Sequence, residues 1–186
     1  MKSTRLLLPI LLMSASSGWA QPSAAPAWQQ SRMTDPAQTY SFARFTLLGR
    51  FTNASNDKSG TRPTLTLDCI PGSPPHTKGR YLDATLLVGP KLKIVYVEPE
   101  EIHGMSYYPK VDVRYRVDNA KDEQRDQWSA GADKVSASVP KDAVKQILRA
   151  HALAITVADD HGSLLQMKFD LPEPTSVEQA CNVDEP

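Results

Sequence analysis

The sequence lacks the charge imbalance and the long apolar run that mark two large functional classes. Its 186 residues carry 21 Lys and Arg against 21 Asp and Glu, which gives no formal net charge. Nucleic-acid binding is driven by a concentrated cationic surface, so this balance argues against a general nucleic-acid binder. No apolar run reaches the roughly 20 residues of a membrane-spanning helix. An integral membrane bundle is therefore excluded as well.

Recognisable catalytic motifs are also missing. The chain has no G-x-S-x-G elbow, no glycine-rich phosphate loop and no Cys and His pair close in sequence. We therefore predict no catalytic residue, no metal ligand and no cofactor. Two polar clusters resemble functional sites, the first a divalent-cation site and the second a pair of acid–base residues. The first cluster lacks EF-hand or HExxH spacing, and we interpret it as a solvated loop. We interpret the second cluster as a turn. The first consists of Glu98, Glu100, Glu101 and His103, and the second of Asp159, Asp160 and His161.

The amino terminus has the order of a secretory signal. Lys2 and Arg5 precede a short apolar core at residues 6–13, and small residues follow this core up to Ala20. This core is less than half of the roughly 20 residues that a spanning helix needs, so we predict export and cleavage after Ala20. We expect a periplasmic or secreted protein without a membrane span after cleavage.

The chain contains only two cysteines, Cys69 and Cys181. In an oxidising compartment an even count favours a disulfide, and two cysteines allow one intramolecular pairing. CxxC spacing and nearby histidines are absent, which weighs against a redox or metal role. We predict a structural disulfide that stabilises the fold by about 4 to 5 kcal/mol through loop-closure entropy.

Most of the remaining chain alternates apolar and polar residues, as β-strands do. The alternation puts Leu65, Leu67 and Cys69 on one face of residues 64–69, and it is clearest at residues 111–118. We expect residues 81–88 and 92–97 to form a hairpin. Other strands are predicted at 42–51, 134–139, 153–157 and 165–171.

Two short helices interrupt this pattern. Near residues 140–150, Pro140 suits a first helical turn, and Val144, Ile147 and Leu148 recur at helical spacing. The second helix is predicted at residues 175–182 and carries Cys181. Residues 21–40 are rich in Pro, Ala, Ser and Gln and are predicted to be an extended leader. We expect residues 41–186 to form a single, mainly β domain, an antiparallel β-sandwich or a barrel-like fold.

The most informative polar feature is one face of the strand at residues 111–118. Asp112, Arg114, Arg116 and Asp118 alternate with apolar residues there. Two interpretations are open. The row is a solvated face with weak ion pairs, each contributing at most about 1 kcal/mol, or it is a recognition surface on which an arginine holds a partner's carboxylate bidentately. Trp128 is predicted to lie beside the row.

Several short pieces of sequence occur in a characteristic order between and around the cysteines. They are Trp28, RPTLTLDC at 62–69, YRVD at 115–118, QWS at 127–129, MKFDL at 167–171 and QAC at 179–181. In this order they resemble the periplasmic TagO/VasI-like proteins associated with type VI secretion. The resemblance implies an exported, β-rich bacterial accessory protein with no established enzymatic activity.

Three function classes remain after these exclusions. The favoured one is an accessory protein that docks to a protein partner of the bacterial envelope. The alternative is a periplasmic ligand-binding module for an envelope glycan or peptide, with Trp28, Trp128, Tyr107 and Tyr108 as stacking surfaces. The third is a hydrolase whose catalytic residues meet only in three dimensions.

Overall fold

A computed structural model describes residues 26–35, 40–53, 60–71, 80–97 and 108–181, so the predicted signal segment lies outside the described residues. Within those ranges eleven strands form one antiparallel sheet, accompanied by two short helices. No helix in these ranges is both long and apolar enough to cross a membrane. The elements are β1 (Gln29–Thr34), β2 (Ser41–Leu48), β3 (Arg50–Phe51), β4 (Thr64–Pro71), β5 (Arg80–Leu87), β6 (Val95–Val97), β7 (Tyr108–Val117), β8 (Gln124–Ala130), β9 (Ser136–Ser138), α1 (Lys141–Leu148), β10 (Ala152–Ala158), β11 (Leu164–Asp170) and α2 (Thr175–Cys181).

The sheet curls back on itself. Its strand order is β1-β2-β4-β5-β9-β8-β7-β10-β11-β3, and β6 pairs with β7 beside this path. Strands β2 and β3 are separated only by Gly49, so the last strand in the order is the continuation of the second. This arrangement confirms the predicted fold class in its barrel-like form, because a sandwich would consist of two separate sheets.

Gly49 permits the close approach at which the sheet curls round. A Cβ atom added there would lie 2.6 Å from Cε1 of Phe169 and 2.9 Å from the carbonyl oxygen of Lys168. The Gly49 amide also donates to the carbonyl of Pro63 at 2.7 Å, which ties the bend to the start of β4. A larger residue would push β11 away from β3.

The core lies on the inner face of the curled sheet and confirms the predicted alternation. In β4, Leu65, Leu67 and Cys69 are buried, and the neighbouring threonines are half-buried. Helix α1 begins after Pro140, as predicted, and covers part of this core with its apolar face. The buried residues of the helix are Ala143, Val144, Ile147 and Leu148.

The second helix is fixed to the sheet by the predicted disulfide. Cys69 of β4 and Cys181 of α2 are bonded, with their Cα atoms 5.4 Å apart across a sequence separation of 112 residues. Arg80 adds a hydrogen bond from Nη1 to the carbonyl of Ala180, at 2.6 Å. A disulfide of this kind is typical of proteins outside the reducing cytoplasm.

One predicted strand pairing was wrong, and part of the predicted leader is paired with the domain. Within residues 21–40, which were predicted to be an extended leader, Gln29–Thr34 forms edge strand β1 along β2. Its polar residues suit an edge strand, which is mostly exposed. The hairpin of residues 81–88 and 92–97 does not form. Both edges of β5 are occupied by β4 and β9, and the turn at Gly89, with φ +98°, directs Leu92 to a bridge with Asp159.

Candidate functional site

The polar row predicted on residues 111–118 lies on the outer face of β7. Asp112, Arg114 and Arg116 are exposed and alternate with buried Val111, Val113 and Tyr115. The carboxylate of Asp112 accepts a hydrogen bond from Nε2 of Gln127 on β8, at 2.9 Å. This aspartate is therefore engaged by a neutral partner and forms no ion pair with either arginine in the described residues.

Asp118 does not belong to the row, contrary to the prediction. Strand β7 ends at Val117, and Asp118 has a left-handed backbone with φ 49°. Its Oδ1 atom accepts the backbone amides of His151 and Ala152 at 2.7 and 3.0 Å. Asp118 is thus a turn residue that fixes the start of β10. Asp and Asn adopt the left-handed conformation more readily than most residues, which explains why the strand stops there.

Trp128 was also wrongly predicted to lie beside the arginines. It is fully buried and lies directly opposite Val111, so it shares the inner face of the sheet. Its ring packs against Tyr115 with centroids 5.7 Å apart, and its Nε1 donates to Asp126 at 3.2 Å. Residues opposite each other in an antiparallel pair face the same side, which places Trp128 in the core.

The residue that does join the arginines is Arg125 of β8, which the sequence analysis did not single out. It is exposed and directly opposite Arg114 in the strand register. Side chains in this position have Cβ atoms about 5 Å apart. The signal that could have revealed it is the burial of Trp128, because an inward tryptophan turns Gln127 and Arg125 outward. We call the surface formed by Arg114, Arg116 and Arg125 the cationic face.

None of the three guanidinium groups of the cationic face has an ion-pair or hydrogen-bond partner among the described residues. The five ion pairs of those residues lie elsewhere. On the β10 side, Arg114 lies opposite Thr156 and Arg116 opposite Ala154, which are small and uncharged. Asp112, the carboxylate of the same row, is hydrogen-bonded to Gln127, so no ion pair neutralises these arginines within the described residues.

An aromatic side chain extends the same surface. Tyr108 is half exposed and has the same strand parity as Arg114 and Arg116. Lys110, between them, donates from Nζ to the hydroxyl of Ser129 at 3.0 Å. Beneath the surface, burial raises the pKa of Tyr115, and the charges of Asp126 and Asp142 raise it further. Tyr115 therefore stays neutral and adds no charge beneath the row.

The structure does not bring together the predicted stacking surfaces. Trp28 is partly buried and packs against the core, Trp128 is fully buried, and Tyr107 lies outside the described residues. Of the predicted stacking residues that the structure describes, only Tyr108 presents an exposed ring, so Trp28, Trp128 and Tyr108 do not form a common stacking surface.

Of the two polar clusters in the sequence, residues 159–161 are described by the structure and residues 98–103 are not. Asp159 accepts the backbone amides of His161 and Ser163 at 3.0 and 2.7 Å, and Gly162 follows with φ 84°. This confirms the predicted turn. The acidic cluster of residues 98–103 lies outside the described residues. Among the residues that are described, no group of three or more His, Cys, Asp or Glu is placed to hold a metal ion.

No known family model matches this chain, and no curated protein is detectably similar to it. A crystal structure of invasion associated protein B from Bartonella henselae is similar over 84% of this chain and 91% of that one. The sequence identity is 10% and the TM-score 0.47, which are too low to transfer any function. The resemblance to TagO/VasI-like proteins stays a prediction.

Proposed function

We propose that the protein is an exported, non-catalytic accessory protein of the bacterial envelope that docks an acidic protein partner through the cationic face. The observation that carries this proposal is the pair of opposed arginines, Arg114 and Arg125, without a counter-ion in the described residues. Like charges directly opposite each other destabilise a strand pair. Such a pair does nothing for folding, whereas a bound carboxylate would turn it into an attractive site.

The chemistry of the face suits carboxylate recognition. Each guanidinium presents donors in a planar fork that matches a carboxylate bidentately. Arg and Tyr are enriched among the residues that dominate the binding energy of protein interfaces, and Tyr108 lies on the same side of β7 as the arginines. Arg114 and Arg116 project from the same face of one strand, so the backbone fixes the spacing at which the two side chains leave the sheet.

The proposed location is the periplasm or the exterior of the cell. The disulfide between Cys69 and Cys181 supports export, since such bonds persist in oxidising compartments. The ordered sequence pieces that resemble TagO/VasI-like proteins support a partner in the type VI secretion apparatus. This assignment extends the docking proposal and can fail without it.

A binding experiment with matched variants tests the docking proposal. The tagged protein is used to capture partners from an envelope extract, and the identified partner is then purified and titrated against it. Replacing Arg114, Arg116 and Arg125 together with serine should weaken binding by at least about a hundredfold, as loss of interfacial charge pairs does. High salt should weaken wild-type binding, because it screens exposed charges.

Arg32→Ser is the matched control, because Arg32 is an exposed arginine of edge strand β1, which pairs with β2 and not with β7 or β8. It should bind as the wild type does. Equal binding by the triple variant would contradict the proposal. Binding of the wild type to anionic lipid vesicles, with no affinity for the purified partner, would show that the face recognises a membrane instead.

A further inference from the structure

A second charged feature lies apart from the cationic face, where three segments of the chain meet. A pocket of about 330 Å³ is lined there by residues of the β5–β6 connection, of the loop before β9 and of the β10–β11 turn. No residue of the cationic face lines it. The lining residues are Lys91, Leu92, Lys93, Ile94, Tyr96, Lys134 and Asp160.

Backbone hydrogen bonds hold the three segments together. The amide of Leu92 donates to the carbonyl of Lys134 at 2.7 Å, and the amide of Asp160 donates to the carbonyl of Lys91 at 3.0 Å. The amide of Lys93 donates to Ala158 of β10 at 2.9 Å. Each lysine of the pocket is thus attached to backbone that is tied to another segment. The pocket is pre-formed and does not depend on a bound ligand for its shape.

Lys134 occupies a backbone conformation that lysine rarely adopts. Its φ is 58°, in the left-handed region that favours Gly and Asn. The preceding residue, Asp133, enforces the turn, since its Oδ1 accepts the amides of Val135 and Ser136 at 3.0 and 3.1 Å and the Ser136 hydroxyl at 2.8 Å. Partial burial raises the pKa of Asp133, but these hydrogen bonds together bring it below its ordinary value. The turn is therefore stable with a lysine at a position where folding alone would favour another residue.

The charge of the pocket is positive. It contains three lysines and one carboxylate, and Asp160 lies 3.6 Å from Nε2 of His161. None of the three lysines has an ion-pair partner in the described ranges of the chain. Leu92 is buried beneath them, Ile94 is half-buried, and Tyr96 is 59% exposed at the rim. An anion in this pocket would lie among three lysine residues and the apolar residues Leu92 and Ile94.

We propose that this pocket binds a phosphate dianion, either as inorganic phosphate or as a phosphate monoester of a single sugar ring. Lysine ammonium groups bind phosphate as compact point charges and need no fixed fork geometry. Ligand pockets span about 300 to 1,000 Å³, and the volume here lies at the lower end of that range. The pocket therefore fits a group of one ring with its phosphate, with the exposed Tyr96 ring available beside it. This inference is independent of the docking proposal.

The test is a calorimetric or NMR titration of the purified protein at constant ionic strength. The probes are inorganic phosphate, glucose 6-phosphate, glucose and chloride. Both phosphate compounds should bind saturably, and glucose and chloride should not. Tighter binding of glucose 6-phosphate would identify a sugar-borne group, and equal affinity would identify free phosphate as the ligand.

Lys134→Asn is the decisive variant, because asparagine removes the charge and tolerates the left-handed backbone. It should have a melting temperature at least as high as that of the wild type and lose at least about tenfold in affinity for phosphate. Lys121→Asn, at an exposed turn outside the pocket, should bind as the wild type does. Unchanged affinity in Lys134→Asn, or the absence of saturable phosphate binding by the wild type, would overturn the proposal. The triple arginine variant should retain phosphate binding, so failure of one proposal is distinguishable from failure of the other.

Discussion

The β2–β4 pair and the β7–β8 pair use arginine in opposite ways. In the first, Arg44 lies directly opposite Asp68, and its Nε and Nη2 donate to the two carboxylate oxygens at 2.7 and 2.6 Å. In the second, Arg114 lies directly opposite Arg125. Both are antiparallel pairs in the same sheet, so the difference lies in the facing residue and not in the backbone.

This contrast separates residues that serve the fold from residues that do not. A bidentate pair at half-buried positions fixes the register of β2 against β4 and contributes favourable energy. Two opposed arginines contribute none, and neither forms an ion pair with a carboxylate of the described residues. The first pair is complete within one chain, whereas the second is completed only by the acidic partner that we propose.

The largest effect is expected at the disulfide that anchors α2 to β4. Replacing Cys69 and Cys181 together with alanine should lower the free energy of unfolding by about 2 to 5 kcal/mol, because the unfolded chain regains the freedom of a loop of 112 residues. Urea denaturation without reductant measures this loss. Below the melting temperature the double variant should bind the acidic partner as before, since the cationic face lies on other strands. A loss under about 1 kcal/mol would show that α2 docks without the bond.

The next effect is expected at Gly49, where β2 leaves β4 and β3 joins β11. Gly49→Ala should destabilise the fold by about 1 to 3 kcal/mol, because overpacking forces side chains or backbone to move. The added methyl would press on the ring of Phe169 and the carbonyl of Lys168. Gly162→Asn is the control, since a Cβ there meets nothing within 4 Å and asparagine accepts its positive φ. Equal stability of both variants would show that the sheet tolerates a wider bend.

A smaller effect is expected from the paired arginine. Arg44→Gln should cost about 1 to 2 kcal/mol, which is typical of a hydrogen bond to a charged group, since it leaves Asp68 without its bidentate donor. A double-mutant cycle with Asp68→Asn isolates the interaction. The hydrogen bond to Asp68 raises the pKa of Arg44, burial lowers it, and the charge of Asp68 raises it. A raised pKa keeps a cation charged to higher pH, so its contribution should persist through neutral and mildly alkaline conditions. A coupling energy near zero would contradict the role assigned to the pair.

The sequence predicts the inner face of the sheet far better than its outer face. Leu65, Leu67 and Cys69 were placed correctly because one buried face imposes a strict period of two on each strand. The helix after Pro140 was recognised for the same reason, since its apolar stripe recurs at helical spacing. Burial produces a periodic pattern of apolar residues in the sequence. The identity of the residue that faces a polar side chain on the next strand produces no such pattern.

The parts that escaped prediction depend on contacts between distant segments. Strand β8 has only one buried residue, Trp128, so its alternation is weak, and Arg125 was missed with it. Asp118 continues the charged alternation of β7 but accepts amides from residues 33 and 34 positions away, which no local pattern reveals. The lysine pocket joins three segments through backbone hydrogen bonds, and side-chain patterns do not report those.

The smallest effect on stability, and the one most specific to the unpaired region, is expected from Arg125→Thr. Removing one of two opposed like charges should raise the free energy of unfolding by about 0.5 kcal/mol. Threonine also suits an exposed strand position. The same change should weaken binding of the acidic partner, so stability and affinity should move in opposite directions. Arg44→Thr is the matched comparison, and there stability should fall because the lost charge was paired.

Salt concentration separates the cause of that gain from the general preference of threonine for strands. If repulsion between Arg114 and Arg125 is the cause, the difference between variant and wild type should shrink as salt rises, because both groups are exposed and their interaction is screened. A difference that is independent of salt would assign the gain to strand preference alone. A loss of stability at low salt would mean that the two arginines do not repel each other. That result would contradict the argument that this pair serves the binding of a partner and not stability.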